Sequence, residues 1–238
     1  MTAFVLVHGS WHGGWCWQRV VPLLARDGAR VHTPSLTGHA ERHHLISPLV
    51  NLSTHVADIA NLIEWEDLTD IVLCGHSYGG MVVSGVADRL PGRIRTLVYL
   101  DAHVPEDGQS AADIIGPEVH GRLRGRAEQE GFGWLLPPTK ADFFGTRDQA
   151  DQDWINRRCT PMPLACYEER LARNGAADAI PHKAYIRLSE HRRPYFIDAA
   201  DRHRGRPGWT VIDLPAAHNV MITHPAMLAD ALLALAQP

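Results

Sequence analysis

The chain has 238 residues, 45 % of them hydrophobic and 21 % charged, and a formal net charge of -4, which excludes a disordered chain and leaves apolar side chain for one large core. Basic residues are scattered apart from short clusters at 122–126 and 202–206, so no basic stripe argues for nucleic acid and a small, largely apolar ligand fits better. Cys16, Cys74, Cys159 and Cys166 form no CxxC pair, and no leader pattern or bilayer-length apolar run is present, so reduced thiols, a cytoplasmic location and no membrane association are expected.

Residues 3–7 are an apolar run stopped by His8-Gly9, and residues 17–26 have helical spacing that ends at Asp27-Gly28. The pattern predicts strand, loop, helix. Further strands are expected at 29–33, 70–74, 95–100, 184–188 and 209–214, with helices at 52–65 (capped by Asn51 or Ser53), 81–90 and 225–235. Strands alternating with helices predict an α/β fold, a mostly parallel sheet flanked by helices. The rhythm breaks after Asp101. Residues 1–102 and 183–238 are read as the core, and 103–182, rich in Pro, Gly, charge and aromatics without a clear strand, as a mostly helical cap.

Gly75-His76-Ser77-Tyr78-Gly79 is a GxSxG after an apolar strand and before a helix, the context a nucleophile elbow demands. A serine in a bare GxSxG would more often be a helix cap. Here the turn is tight enough that side chains two residues either side of the serine would collide, so glycine is required at 75 and 79 and Ser77 is expected in a strained backbone conformation. Gly80 lets the following helix pack closely. The hydroxyl would then stand at the carboxyl end of the sheet, beside a helix N-terminus that favours negative charge.

The stretch Phe4-Val5-Leu6-Val7-His8-Gly9-Ser10-Trp11-His12-Gly13-Gly14-Trp15, the elbow, and residues 97–105 resemble the α/β-hydrolase branch that holds plant methylesterases, hydroxynitrile lyases and many small bacterial esterases. The resemblance implies an α/β-hydrolase fold with a helical cap inserted after the strand ending at Asp101, and a serine hydrolase that cleaves a carboxylic ester of a small molecule through an acyl-enzyme. It assigns the base by chain order to His218, after the last strand, since a serine hydroxyl needs a partner to take its proton. It also assigns the oxyanion hole to the backbone amides of Ser10 and Tyr78.

The acid is less direct. Family members commonly carry an aspartate after the penultimate strand, but this chain reads Ile186-Arg187-Leu188-Ser189-Glu190-His191, with histidine near that slot. Asp101, ending the strand beside the elbow strand, is the preferred acid, as in some haloalkane dehalogenases; Glu190 is the runner-up. An ionised carboxylate at the end of an apolar strand needs a partner such as an imidazolium.

Trp11, Trp15, Trp17, Tyr78, Trp134 and the other aromatics of the insertion suggest an apolar pocket, about half of these rings being core. Met162, in the segment Thr160-Pro161-Met162-Pro163-Leu164, is expected over the pocket, in a segment similar to one in bacterial esterases of this branch. No cofactor is expected, and no metal: His8 with His12, or His43 with His44, lack a third ligand on a helix face. The alternatives are a hydroxynitrile lyase-like C–C lyase, a lactone or thioester hydrolase, and a catalytically slow ligand receptor. Lyases with the closest loop carry threonine where this chain has Gly9 and lysine where it has Asn219. An epoxide hydrolase would usually need aspartate in place of Ser77.

Overall fold

Six parallel strands form the centre of the molecule in a computed structural model that describes residues 2–237. The first four are β1 (Ala3–Val7), β2 (Arg30–His32), β3 (Ile71–His76) and β4 (Ile94–Leu100). A long insertion carrying β5 (Leu135–Leu136) and β6 (Met162–Pro163) follows, and β7 (His182–Leu188) and β8 (Trp209–Leu214) complete the sheet. Its spatial order is β2-β1-β3-β4-β7-β8. β1 and β3 are buried along their whole length, as a parallel sheet covered on both faces requires. Side chains alternate between the faces: Phe4 and Leu6 enter one core cluster, Val5 and Val7 the other.

The helices are α1 (Val21–Leu24), α2 (Leu52–Trp65), α3 (Gly79–Arg89), α4 (Ala111–Ile115), α5 (Pro117–Glu130), α6 (Gln149–Asn156), α7 (Ala165–Glu168), α8 (Pro194–His203), α9 (Val220–Thr223) and α10 (Pro225–Leu235). α2 and α3 cover the Val5 face, while α10 covers the Phe4 face with Trp17 and Leu24. Asn51 caps α2: its side chain accepts the Thr54 amide at 3.0 Å, and the Thr54 hydroxyl accepts the Asn51 amide.

Three expectations need correction. The helix predicted at 17–26 breaks into 3-10 turns around the four-residue α1, with Pro22 in its first turn and Gly28 in the left-handed region closing the segment. α8 was not anticipated. Pro194 opens it and Phe196, Ala199, Ala200 and His203 form its buried stripe, a stripe masked in the sequence by the charges around it. The insertion also holds a short antiparallel pair, Leu136 opposite Met162, where no strand was expected.

Candidate active site

Backbone crowding dictates the turn after β3. A Cβ on Gly75 would lie 2.5 Å from the Gly79 carbonyl oxygen, and one on Gly79 would lie 2.8 Å from the His8 carbonyl oxygen. Neither position admits a side chain. Ser77 between them has φ 55°, a left-handed conformation uncommon for serine and held here by the surrounding structure. Its carbonyl accepts amide hydrogen bonds from Gly80 and His103, both at 3.1 Å. The side chain lines a cavity of about 540 Å³ together with Ser10, Trp11, His218 and residues of the insertion.

Asp101 ends β4 in an unusual backbone conformation of its own, φ 42°, and is wholly buried. Its Oδ2 accepts two hydrogen bonds, from His218 Nδ1 at 2.7 Å and from His191 Nδ1 at 2.6 Å. Oδ1 meets only the Leu188 amide, at 3.5 Å. Burial pushes the Asp101 carboxyl above the usual carboxylate range, and the hydrogen bond from His191 is the largest influence pulling it back. Burial, and then the neighbouring His191, hold His218 well below the ordinary histidine value, so that its imidazole is neutral near pH 7. The His218 backbone is pinned on both sides: its amide donates to the Phe144 carbonyl at 3.2 Å and its carbonyl accepts from His76 Nε2 at 3.0 Å.

Ser10 and Tyr78, the two expected amide donors, flank the serine from different loops, and among the described residues neither amide has a hydrogen-bond acceptor. Ser10 Oγ is hydrogen-bonded to the Tyr167 hydroxyl at 2.7 Å. Glu190 is elsewhere: it is exposed on the surface, 3.5 Å from Arg147.

The cavity wall differs from the expected one. Trp11 lines it, with its ring nitrogen donating to the Leu136 carbonyl at 3.1 Å. The Tyr78 side chain does not. It is fully buried, its hydroxyl 3.0 Å from His55 Nδ1, because the elbow turns it into the core. Trp15 packs edge-on against Trp154, Trp17 is core, and Trp134 lies off the lining in the loop before β5. Met162 is buried where β6 pairs with β5 and faces the core. The wall is made instead by Phe143, Phe144, Tyr167, Tyr195 and Phe196, by the aliphatic Ile115, Val119 and Leu123, and by Arg122, Arg126 and Arg193. Tyr195 and Phe196 belong to α8, which explains why the sequence hid them. His191 carried a signal, since a histidine stands where an acid was sought.

Asp101, His191 and His218 are also the one set of three metal-capable side chains gathered closely among the described residues. The two imidazole-to-carboxylate hydrogen bonds already use the three atoms that a metal would take. His8 has both ring nitrogens engaged, with the Gly9 carbonyl at 2.8 Å and the Leu36 amide at 3.0 Å.

A serine at a strained strand-to-helix turn, above a buried histidine–carboxylate pair at the carboxyl end of a parallel sheet, defines a class of fold and site. The chain belongs to the alpha/beta hydrolase family, whose model matches residues 4–231. It is 43 % identical to a carbendazim hydrolyzing esterase of Nocardioides sp. (strain SG-4G), across 99 % of this chain and all of that one. It is 34 % identical to a pyrethroid hydrolase of Sphingobium wenxiniae, across 98 % of this chain and 86 % of that one. Among solved structures it resembles an extracellular alpha/beta-hydrolase from a Paenibacillus species, with a TM-score of 0.85, 27 % identity and 99 % of both chains covered. These relatives are ester-cleaving enzymes or hydrolases of the same fold.

Proposed function

We propose that this alpha/beta hydrolase cleaves carboxylic esters of small, largely apolar molecules through an acyl-enzyme on Ser77, with His218 as base and Asp101 as acid. The observation that carries the reading is the hydrogen bond between His218 Nδ1 and the buried Asp101 carboxylate, 2.7 Å long, beside a serine held at positive φ on the same cavity. Asp101 keeps the His218 proton on Nδ1, so Nε2 is free to accept the serine proton. Ser77 Oγ bonds to the ester carbonyl carbon, and the carbonyl oxygen becomes an oxyanion facing the unpaired amides of Ser10 and Tyr78. The C–O bond to the alcohol then breaks, and His218 returns the proton to the departing oxygen. Water repeats the sequence on the acyl-enzyme and releases the acid.

Residues 103–182 act in this reading as a cap that supplies most of the cavity wall and sets which acyl or alcohol groups enter. A lyase reading is weaker on a specific ground. A Cβ on Gly9 would meet the Ser77 Cβ at 2.8 Å, so the threonine expected of the related lyases has no room. Four unpaired cysteines, three of them buried, suit a cytoplasmic enzyme; no described helix is long and apolar enough to cross a membrane.

The test is p-nitrophenol release from esters of two- to eight-carbon acids, by the wild type and by Ser77→Ala. Serine-dependent turnover, lost by about 10³-fold or more in the variant, is the expected result. Equal rates in the two proteins would exclude Ser77 as nucleophile.

A further inference from the structure

Asp101 serves two imidazoles where the proposed chemistry uses one. His218 Nδ1 and His191 Nδ1 lie 2.7 and 2.6 Å from the same oxygen, and the ring centroids are 4.1 Å apart. The other carboxylate oxygen has one long contact, to the Leu188 amide at 3.5 Å. A buried carboxylate needs several donors to remain charged, and here the two histidines supply almost all of them.

Charge counting assigns the protons. Each Nδ1 faces a carboxylate oxygen at short range, so each carries hydrogen. A single buried negative charge offsets a single imidazolium. When the Ser77 proton reaches His218, that ring is the cation, and a second cation 4.1 Å away would be uncompensated.

We infer that His191 is a positioning residue, a second donor that fixes the Asp101 carboxylate against His218 and acts on the chemistry only through it. The inference rests on the Ser77, His218 and Asp101 reading. Burial favours the uncharged form of Asp101, and the His191 hydrogen bond opposes that effect more than any other contact does. The ring packs against Phe196, with centroids 5.6 Å apart, so a phenylalanine at 191 would keep the shape and delete the donor.

The experiment compares His191→Phe with His191→Asn on p-nitrophenyl butyrate, with thermal melting of both. Asparagine keeps an N–H where the imidazole Nδ1 sits. His191→Phe should lower kcat by about 10- to 100-fold, the effect of losing one charge-assisted hydrogen bond, with KM changed by less than about threefold. His191→Asn should recover most of that loss. Wild-type kcat in His191→Phe, or equal losses in two well-folded variants, would overturn the inference. Should His191→Phe not fold, proton NMR decides: two hydrogen-bonded imidazole Nδ1 protons are expected from this pair in the wild type, one of them absent in His191→Asn and the other shifted. An unshifted second resonance would overturn it. Ser77→Ala is assayed in parallel. If it stays active the hydrolase reading falls; if it is inactive while His191→Phe is normal, only the role of His191 falls.

Discussion

The floor of the cavity and its outer wall are built differently. Ser77, Asp101, His191 and His218 stand at the ends of sheet strands or in the turns that follow, all but Ser77 buried and most with backbone groups pinned to neighbouring elements. Part of the wall facing them comes from α5, which buries Ala127 alone along fourteen residues and presents Val119, Arg122, Leu123 and Arg126 to the cavity. A group that must move a proton needs its neighbours fixed to fractions of an ångström, whereas a wall that sorts substrates tolerates an exposed helix. On the proposed reading the chemistry belongs to the ends of the sheet strands and the selectivity to the wall.

Substitutions on the floor test that division most severely. Asp101→Asn keeps the shape but no longer holds His218 in the required tautomer, and kcat should fall by about 10⁴-fold with the melting temperature little changed. Glu190→Gln should leave kcat unaltered, because that carboxylate is on the surface beside Arg147. A reversed pair of results in p-nitrophenyl ester assays would transfer the role of acid to Glu190.

Acid should destabilise the fold as a whole. Burial holds His39 and His55 down at about 3 and His103 at about 4, while in the unfolded chain each titrates near the ordinary 6.5. Between those values the unfolded state binds the additional protons, so stability rises with pH and is lost on acidification, by about 1.4 kcal/mol per pH unit for each histidine. Melting temperature should be flat from pH 8 to 7 and fall steeply from pH 6 to 4.5. An unchanged melting temperature at pH 4.5 would show that these rings are hydrated in solution.

The glycine opposite the serine gives a smaller effect of the same kind. A Cβ at residue 9 falls 2.8 Å from the Ser77 Cβ and 3.1 Å from His76 Nδ1. Gly9→Ala must displace one of them, at a cost of about 1–3 kcal/mol. Chemical denaturation should register that loss, and a displaced Ser77 Cβ should lower kcat with it on the proposed reading.

The same division explains what was legible in the sequence. The elbow could be read because local sterics select its residues: glycine at 75 and 79 answers collisions within five positions of chain. α2 and α10 fell on 52–65 and 225–235 as expected, their apolar spacing being set by burial on the sheet. Asp101 could be preferred over Glu190 from its place at the end of an apolar strand. The histidine at 191 was visible in the acid's usual slot, but its bond to Asp101 could not be read, since it joins residues ninety positions apart through a carboxylate that tolerates one donor or two. Trp15, Trp134 and Met162 were misplaced for a related reason. Apolar residues in a loop or insertion satisfy the same hydrophobic demand in the core or in the pocket wall, and only the path of the chain decides which.

The outer wall should respond gently and selectively. Leu123 lies on α5 and touches the cavity without belonging to the fully buried core. Leu123→Ala widens the wall by about three methylene-sized groups and removes apolar contact with the distal part of an acyl chain, not with the scissile bond. A two-carbon ester does not extend that far, so its kcat and KM should stay within about twofold of wild type. An eight-carbon ester should lose about 1 kcal/mol of binding, roughly a fivefold rise in KM, with kcat retained, because the contact is equal in ground state and transition state. A uniform fall in kcat across the series would mean that α5 is coupled to the placement of Ser77 and His218, and the separation of floor from wall would fail at that point.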